Sequence, residues 1–220
     1  MSENFLVEMV SDFGEGMLED LIHSKSKRIF DIFFSSIGII ILSPFFIIIS
    51  LLIIASSGFP VFYLQERVGR GCKIFKLIKF RSMRKDADKR GLLTVGGRDP
   101  RITGIGYYLR KYKLDELPQL FNVFIGNMSL VGPRPEVKKY VKMYSKEQRQ
   151  VLTVKPGITD YASLEYFNEN ELLAKSSDPE KTYIKEVMPA KLALNMKYIK
   201  EAGVWTDTKI IFRTIARIFS

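Results

Sequence analysis

Cysteine and histidine are almost missing from this chain of 220 residues: Cys72 and His23 are single. A lone cysteine cannot close an internal disulfide, so a reducing compartment is the simpler expectation. One histidine is too few for a zinc site of the usual kind or for a Ser-His pair. Any metal should therefore be held by oxygens, which points to magnesium or a similar hard ion. Charge is missing in two places. There is none of either sign between Asp31 and Glu66, and residues 1–24 contain no Lys or Arg. What is present, 46% hydrophobic and 26% charged residues, excludes a disordered, collagen-like or disulfide-scaffold protein and is enough to bury a core.

The net charge of +10 is unevenly spread. Glu3, Glu8, Asp12, Glu15, Glu19 and Asp20 make the first 24 residues −6, leaving +16 for the remainder. Within that remainder, Gln65 to Lys113 holds fifteen basic and four acidic residues, a net +11. Such a segment implies an anionic partner: anionic lipid, a phosphorylated substrate or nucleic acid. Nucleic acid is the weakest of these, because no binding motif and no aromatic stacking platform accompanies the charge.

Ile32 to Ile54 is a run of 23 residues, mostly Ile, Phe and Leu, long enough to cross a hydrocarbon core of about 30 Å. It starts too far from the N-terminus for a signal peptide. Ser43 and Pro44 sit at its midpoint. Proline removes a backbone donor, so the helix should bend there, with Ser43 helping to satisfy the freed carbonyls. Lys25, Lys27 and Arg28 precede the run, while Arg67, Arg70, Lys73 and Lys76 follow it. Cations on both sides fit a re-entrant hairpin that enters and leaves on one face, and a kinked single span stays open as the alternative.

Beyond the apolar run, 61–67 and 73–81 read as two strands of a hairpin around Gly69 and Gly71. Helices are expected over 105–113, 117–124, 136–153, 179–202 and 206–219. The last is basic and amphipathic, with Ile210, Ile211, Ile215, Ile218 and Phe219 on or near one side, and either lies in a membrane interface or packs on the core. The expected class is α+β, mainly helical with a small β-hairpin. Three parts follow: an acidic N-terminal extension (1–26), the membrane segment (27–58), and a catalytic domain with interfacial helices (59–220).

Asp115 and Glu116 form an acidic pair in a strongly basic, apolar neighbourhood. Near a helix start, an N-cap explains such a pair; carboxylates held among cations can also bind magnesium or attack phosphorus. The motif order decides more than the pair alone. Lys27-Arg-Ile-Phe-Asp31, the apolar run with Ser43 and Pro44, Gln65-Glu-Arg-Val-Gly69 and Phe75-Lys-Leu-Ile-Lys-Phe-Arg-Ser-Met83 come first. Leu114-Asp-Glu-Leu-Pro-Gln-Leu-Phe-Asn122, Met128-Ser-Leu-Val-Gly-Pro-Arg-Pro-Glu136 and Lys155-Pro-Gly-Ile-Thr159 follow. From about Lys27 to its C-terminus the chain resembles the bacterial sugar transferases called monotopic phosphoglycosyl transferases.

That resemblance implies transfer of a sugar-phosphate from a nucleotide-diphosphate sugar, usually a UDP-sugar, to a membrane polyprenyl phosphate, with UMP leaving. It implies that Asp115 is the nucleophile, forming a covalent phosphosugar intermediate, and that Glu116 assists through the metal site or by handling a proton. Magnesium is the implied cofactor, with Asp115 and Glu116 as its ligands. Lys79, Arg110 and Arg134 fall at motif positions expected to face the phosphates or hold the dyad, and Pro133 and Pro135 to fix the backbone of Arg134. Ser43 and Pro44 mark the bend of a re-entrant helix in this family, which favours the hairpin, a bacterial inner-membrane location and a catalytic domain on the cytoplasmic face. Such an enzyme starts assembly of a surface polysaccharide or other glycoconjugate; the donor sugar and the choice between monomer and homodimer stay open. The rivals are a glycosyltransferase that releases UDP and a non-catalytic, membrane-anchored adaptor.

Two departures stand out. After Thr159 many members continue Gly-Trp-Ala-Gln-Val-Asn-Gly-Arg, whereas this chain has Asp160-Tyr-Ala-Ser-Leu-Glu-Tyr-Phe-Asn-Glu169. The arginine expected there for nucleotide-sugar recognition has no match. The acidic residues 1–24 are the second departure, since the smallest members begin near Lys25.

Overall fold

The computed structural model describes residues 25–87, 91, 93–97 and 99–219. The acidic leader 1–24 and part of the polar stretch 83–97 lie outside them. Helix α1 (Lys25–Ser57) leads into an antiparallel hairpin of β1 (Phe62–Val68) and β2 (Ile74–Phe80), with Phe62 opposite Phe80 and Val68 opposite Ile74. Then come α2 (Gly104–Lys111), a 3-10 turn at Leu114–Glu116, α3 (Gln119–Ile125), β3 (Ser129–Val131) and α4 (Lys138–Val141). The chain continues through β4 (Gly157–Thr159), α5 (Tyr161–Glu165), α6 (Glu169–Ala174), α7 (Pro179–Thr182), α8 (Met188–Glu201) and α9 (Val204–Phe219). The class is the expected one, mainly helical with a small hairpin.

Helix α1 is continuous through Pro44 rather than interrupted there. The carbonyl that Pro44 cannot reach, that of Ile40, instead accepts a hydrogen bond from Ser43 Oγ at 2.8 Å. The hydroxyl replaces the lost backbone donor, so the proline is accommodated inside the helix. One face of α1, Phe46, Ile49 and Ile53, packs on Phe80 and Leu109 in a shared core. At about 1.5–3 kcal/mol for each fully buried side chain, that face fixes the helix to the body. The other sides expose Phe33, Ile40, Ile41, Phe45, Ile47, Ile48 and Leu51, each more than half exposed. Only 11% of the most apolar 18-residue window is buried, unlike the core helix of a soluble protein, and the helix is long and apolar enough to cross a membrane.

Both ends of α1 are tied to the body. Lys27 Nζ donates to Tyr198 OH (3.2 Å) and the Val131 carbonyl (3.1 Å) and is ion-paired with buried Asp207. Arg28 donates to the carbonyls of Val123 (2.7 Å) and Phe124 (2.8 Å). Asp31 accepts from Ser129 Oγ and the Leu130 amide, both at 3.0 Å. At the far end, buried Arg81 donates to Ser57 Oγ (2.9 Å) and to the carbonyls of Ser57 and Gly58. Arg81 thereby satisfies carbonyls that a helix C-terminus leaves unpaired.

Three expectations need correction. The single helix over 136–153 is two short pieces, α4 and a 3-10 stretch at Gln148–Thr153. Between them, Ser145 N donates to Gln148 Oε1 (2.9 Å), while Gln148 N donates to Ser145 Oγ (3.3 Å). These local side-chain bonds compete with helical ones and end the helix. The parallel pair β3–β4, Ser129 opposite Gly157 and Val131 opposite Thr159, was not expected. It depends on glycine, since a Cβ on Gly157 would lie 2.0 Å from the Gly132 nitrogen. In α9, Ile210 and Asp207 face the core, whereas Trp205, Phe212 and Ile215 are exposed. This helix has apolar residues on two sides, and packing selected the side with Ile210.

Candidate active site

The dyad sits where four segments meet. Asp115 and Glu116 occupy the 3-10 turn between α2 and α3, entered through Lys113, whose φ of 55° turns the chain between the two helices. The side chains of Asp115 and Glu116 cap no helix: the turn has no side-chain cap bond, and Pro118 occupies the N-cap of α3. Lys79 comes from β2, which is locked against α3 by Asn122. The fully buried Asn122 amide accepts from the Ile78 nitrogen (2.9 Å) and donates to the Lys76 carbonyl (2.8 Å). Arg134 lies in the loop after β3, between buried Pro133 and Pro135. Its amide donates to Asp160 Oδ2 (3.1 Å), and the Pro133 carbonyl accepts from the Gly157 amide (3.0 Å).

These groups line one open cleft of about 770 Å³, within the range of small-molecule sites. The two carboxylates in it are held in different ways. Glu116 is gripped by the guanidinium fork of Arg134, one arm at 2.9 Å to Oε2 and the other on Oε1, and by Lys79 Nζ at 3.1 Å. Burial pushes the Glu116 carboxyl up, but Arg134 and Lys79 outweigh it and hold the group well below the usual carboxylate range. Asp115 is only 4% exposed and accepts no hydrogen bond among the described residues. Burial first, and then the neighbouring Glu116 charge, raise its carboxyl above the ordinary aspartate value, against the pull of Lys79, Arg110 and Lys113. One carboxylate is engaged by cations; the other keeps its oxygens unengaged with cations around it, an arrangement chemically able to attack phosphorus or to bind a metal.

The remaining expected residues are distributed as follows. Arg110 lines the cleft but binds Thr94 Oγ1 (2.9 Å) rather than the dyad, acting on Asp115 through its charge. Ser43 and Pro44 are in α1 and do not line the cleft. Sequence reasoning missed Lys113, Asn122 and Asp160. Asp160 occupies the first position of the departure after Thr159; fully buried, it holds the Arg134 amide and also caps α5 through the Ser163 amide (2.6 Å). Its signal in the sequence, an Asp three residues before Ser163, is that of an ordinary N-cap.

Among the described residues no group of three or more His, Cys, Asp or Glu side chains forms a metal cage. Magnesium needs only one or two carboxylates and completes its shell with phosphate and water; here Asp115 would offer it open oxygens, while Glu116 would share its own with Arg134 and Lys79.

A family model described as bacterial sugar transferase matches residues 22–220. The chain is 35% identical over 209 residues to a UDP-N-acetylgalactosamine-undecaprenyl-phosphate N-acetylgalactosaminephosphotransferase of Aeromonas hydrophila, covering 93% of this chain and 46% of that protein. It is 37% identical over 196 residues to the exopolysaccharide production protein PSS of Rhizobium leguminosarum, covering 86% of this chain and 92% of that one. It is also 35% identical over 201 residues to a UDP-glucose:undecaprenyl-phosphate glucose-1-phosphate transferase of Escherichia coli, covering 88% and 40%. The chain thus spans less than half of the Aeromonas and Escherichia proteins and nearly all of the Rhizobium one. With the match running from just ahead of α1 through the dyad and the Arg134 loop to the last residue, this chain belongs to the bacterial sugar transferase family.

Proposed function

We propose that the chain transfers a sugar-phosphate from a UDP-sugar to polyprenyl phosphate, starting a surface polysaccharide or related glycan. The asymmetry of the dyad carries this reading: Glu116 is held by Arg134 and Lys79, while Asp115 faces the cleft with its oxygens unengaged. In the first step an Asp115 oxygen attacks the sugar-linked phosphorus. An O–P bond forms as the bond to the bridging oxygen breaks, and the electron pair leaves with UMP. In the second step an oxygen of the lipid phosphate attacks the same phosphorus, the Asp115 O–P bond breaks, and the free carboxylate returns. Arg134, Lys79 and Arg110 offset the charge that builds on the phosphoryl oxygens. Glu116 keeps two of those cations in place. Magnesium, held by Asp115 and Glu116 together with the diphosphate, would supply further charge neutralisation.

Nucleotide identification tests the reading. Protein incubated with undecaprenyl phosphate, magnesium and a panel of UDP-sugars is expected to release UMP; release of UDP would instead mean sugar transfer without phosphate, and no turnover would favour an adaptor.

The pH profile should show both kinds of group. Asp115 must be ionised to attack, and its carboxyl is raised, so kcat/KM should fall on the acid side above the ordinary aspartate range. Burial lowers Lys79 and Lys113 from the usual lysine value, so the alkaline limb should fall below the ordinary lysine range. A rate flat from pH 4 to pH 10 would remove both assignments.

Helix α1 supports a membrane location with the catalytic body on one face. Its two ends bind the same body, through Arg28 and through Arg81, which supports a helix that enters and leaves the bilayer on the cytoplasmic side. The exposed Trp205, Phe212 and Ile215 of α9 would rest at the interface. Cysteines placed at Ser26 and Phe59 are expected to be labelled from the same side of sealed vesicles; opposite sides would mean a span.

A further inference from the structure

We propose that Lys113 is a donor-binding residue whose ammonium, held over the Phe167 ring beside the dyad, closes on the diphosphate of the nucleotide sugar. The inference rests on the reading above and extends it to a residue outside the expected site.

Three observations converge on it. First, the other cations at the dyad are already engaged: Lys79 and Arg134 by Glu116, Arg110 by Thr94. The Lys113 ammonium makes no hydrogen bond or ion pair among the described residues, and its Nζ lies 4.9 Å from the centroid of Phe167. A half-buried ammonium resting on a ring is stabilised by the ring's face without being neutralised, and an arriving anion can pair with it.

Second, Lys113 adopts a left-handed backbone, one of three such non-glycine residues among those described. A lysine there carries a conformational cost that glycine or asparagine would largely avoid. Unfavourable backbone conformations of this kind concentrate at ligand sites.

Third, the ring under Lys113 belongs to the same cleft. The ring carries Lys113 and also lies 5.6 Å from Arg217 Cζ of α9. Phe167 and Lys113 both line the cleft. A positive charge two positions ahead of Asp115 is therefore seated in the cleft on an aromatic ring.

UDP binding to the full chain in lipid nanodiscs with magnesium, followed by calorimetry, tests this. Lys113→Asn, which suits the left-handed backbone, should keep its melting temperature and weaken UDP binding by about tenfold or more. Lys113→Arg should stay within about threefold of the wild type, because the charge is kept. Lys113→Gly, equally at ease with positive φ, replaces the asparagine variant if that one is unstable. UDP binding unchanged in a folded, charge-free variant overturns the role of Lys113 and leaves the proposed function standing. Wild-type protein that does not bind UDP overturns both.

Discussion

Asp115→Asn is expected to lower formation of lipid-linked sugar-phosphate by about 10⁴-fold or more, the scale for loss of a covalent nucleophile. The amide is nearly the same size and cannot form the acyl phosphate. UMP release from the donor alone, in the absence of lipid acceptor, should vanish with it. The fold should not suffer. Burial and the Glu116 charge both disfavour ionised Asp115, so a neutral amide should leave the melting temperature unchanged or higher, the usual signature of a site that trades stability for activity. A variant that still makes product at more than a few per cent of the wild-type rate would falsify the covalent mechanism.

Arg134→Gln should damage both rate and stability. Its guanidinium holds Glu116 in a two-armed contact that glutamine cannot reproduce. Loss of a positioned cation at a developing negative charge costs about 10²–10³ in kcat. Removing one partner of a buried ion pair costs about 3 kcal/mol, at the low end of the usual range because the Arg134 side chain is 32% exposed. The sign with pH follows from Glu116, whose carboxyl is held well below the ordinary glutamate value of 4.5. A depressed acid contributes stability above its unfolded pKa and loses it as pH falls towards the folded one. Denaturant titrations should therefore separate wild type and Arg134→Gln most at neutral pH and bring them together below about pH 4.5. A gap that stays constant into acid would mean that Arg134 supports packing and not the Glu116 charge. Arg134→Lys, which keeps charge without the fork, should fall between the two.

Local chemistry made much of this protein legible in its sequence. The hairpin over β1 and β2 was readable because glycine marks its turn, and the end of α3 because Gly126 takes a left-handed φ of 96°. Pro44 was readable as a problem and Ser43 as its remedy, since both act within one helical turn. The helix over 136–153 was not, because Ser145 and Gln148 choose between helical and local bonds by small energy differences. The β3–β4 pair escaped for another reason. Each strand is three residues long, and neither has meaning until residues about 28 positions apart meet at Gly132 and Gly157. At the site, Asp115, Glu116, Lys79, Arg110 and Arg134 could be named from motifs, whereas Asp160 looked like a cap and Lys113 like one more surface cation.

By itself the sequence determined the uncharged apolar helix, the basic body behind it, the scarcity of histidine and cysteine and the acidic pair. These depend on composition and on neighbours in the chain. Tertiary structure alone decided how the two carboxylates differ. Lys79 from β2 and Arg134 from the loop after β3 converge on Glu116 and leave Asp115 open. It also decided which side of α9 is buried and that Lys113 rests on Phe167. Charge and hydrophobicity are properties of residues; which carboxylate keeps a cation and which remains free depends on distances of a few ångströms between segments that only folding brings together.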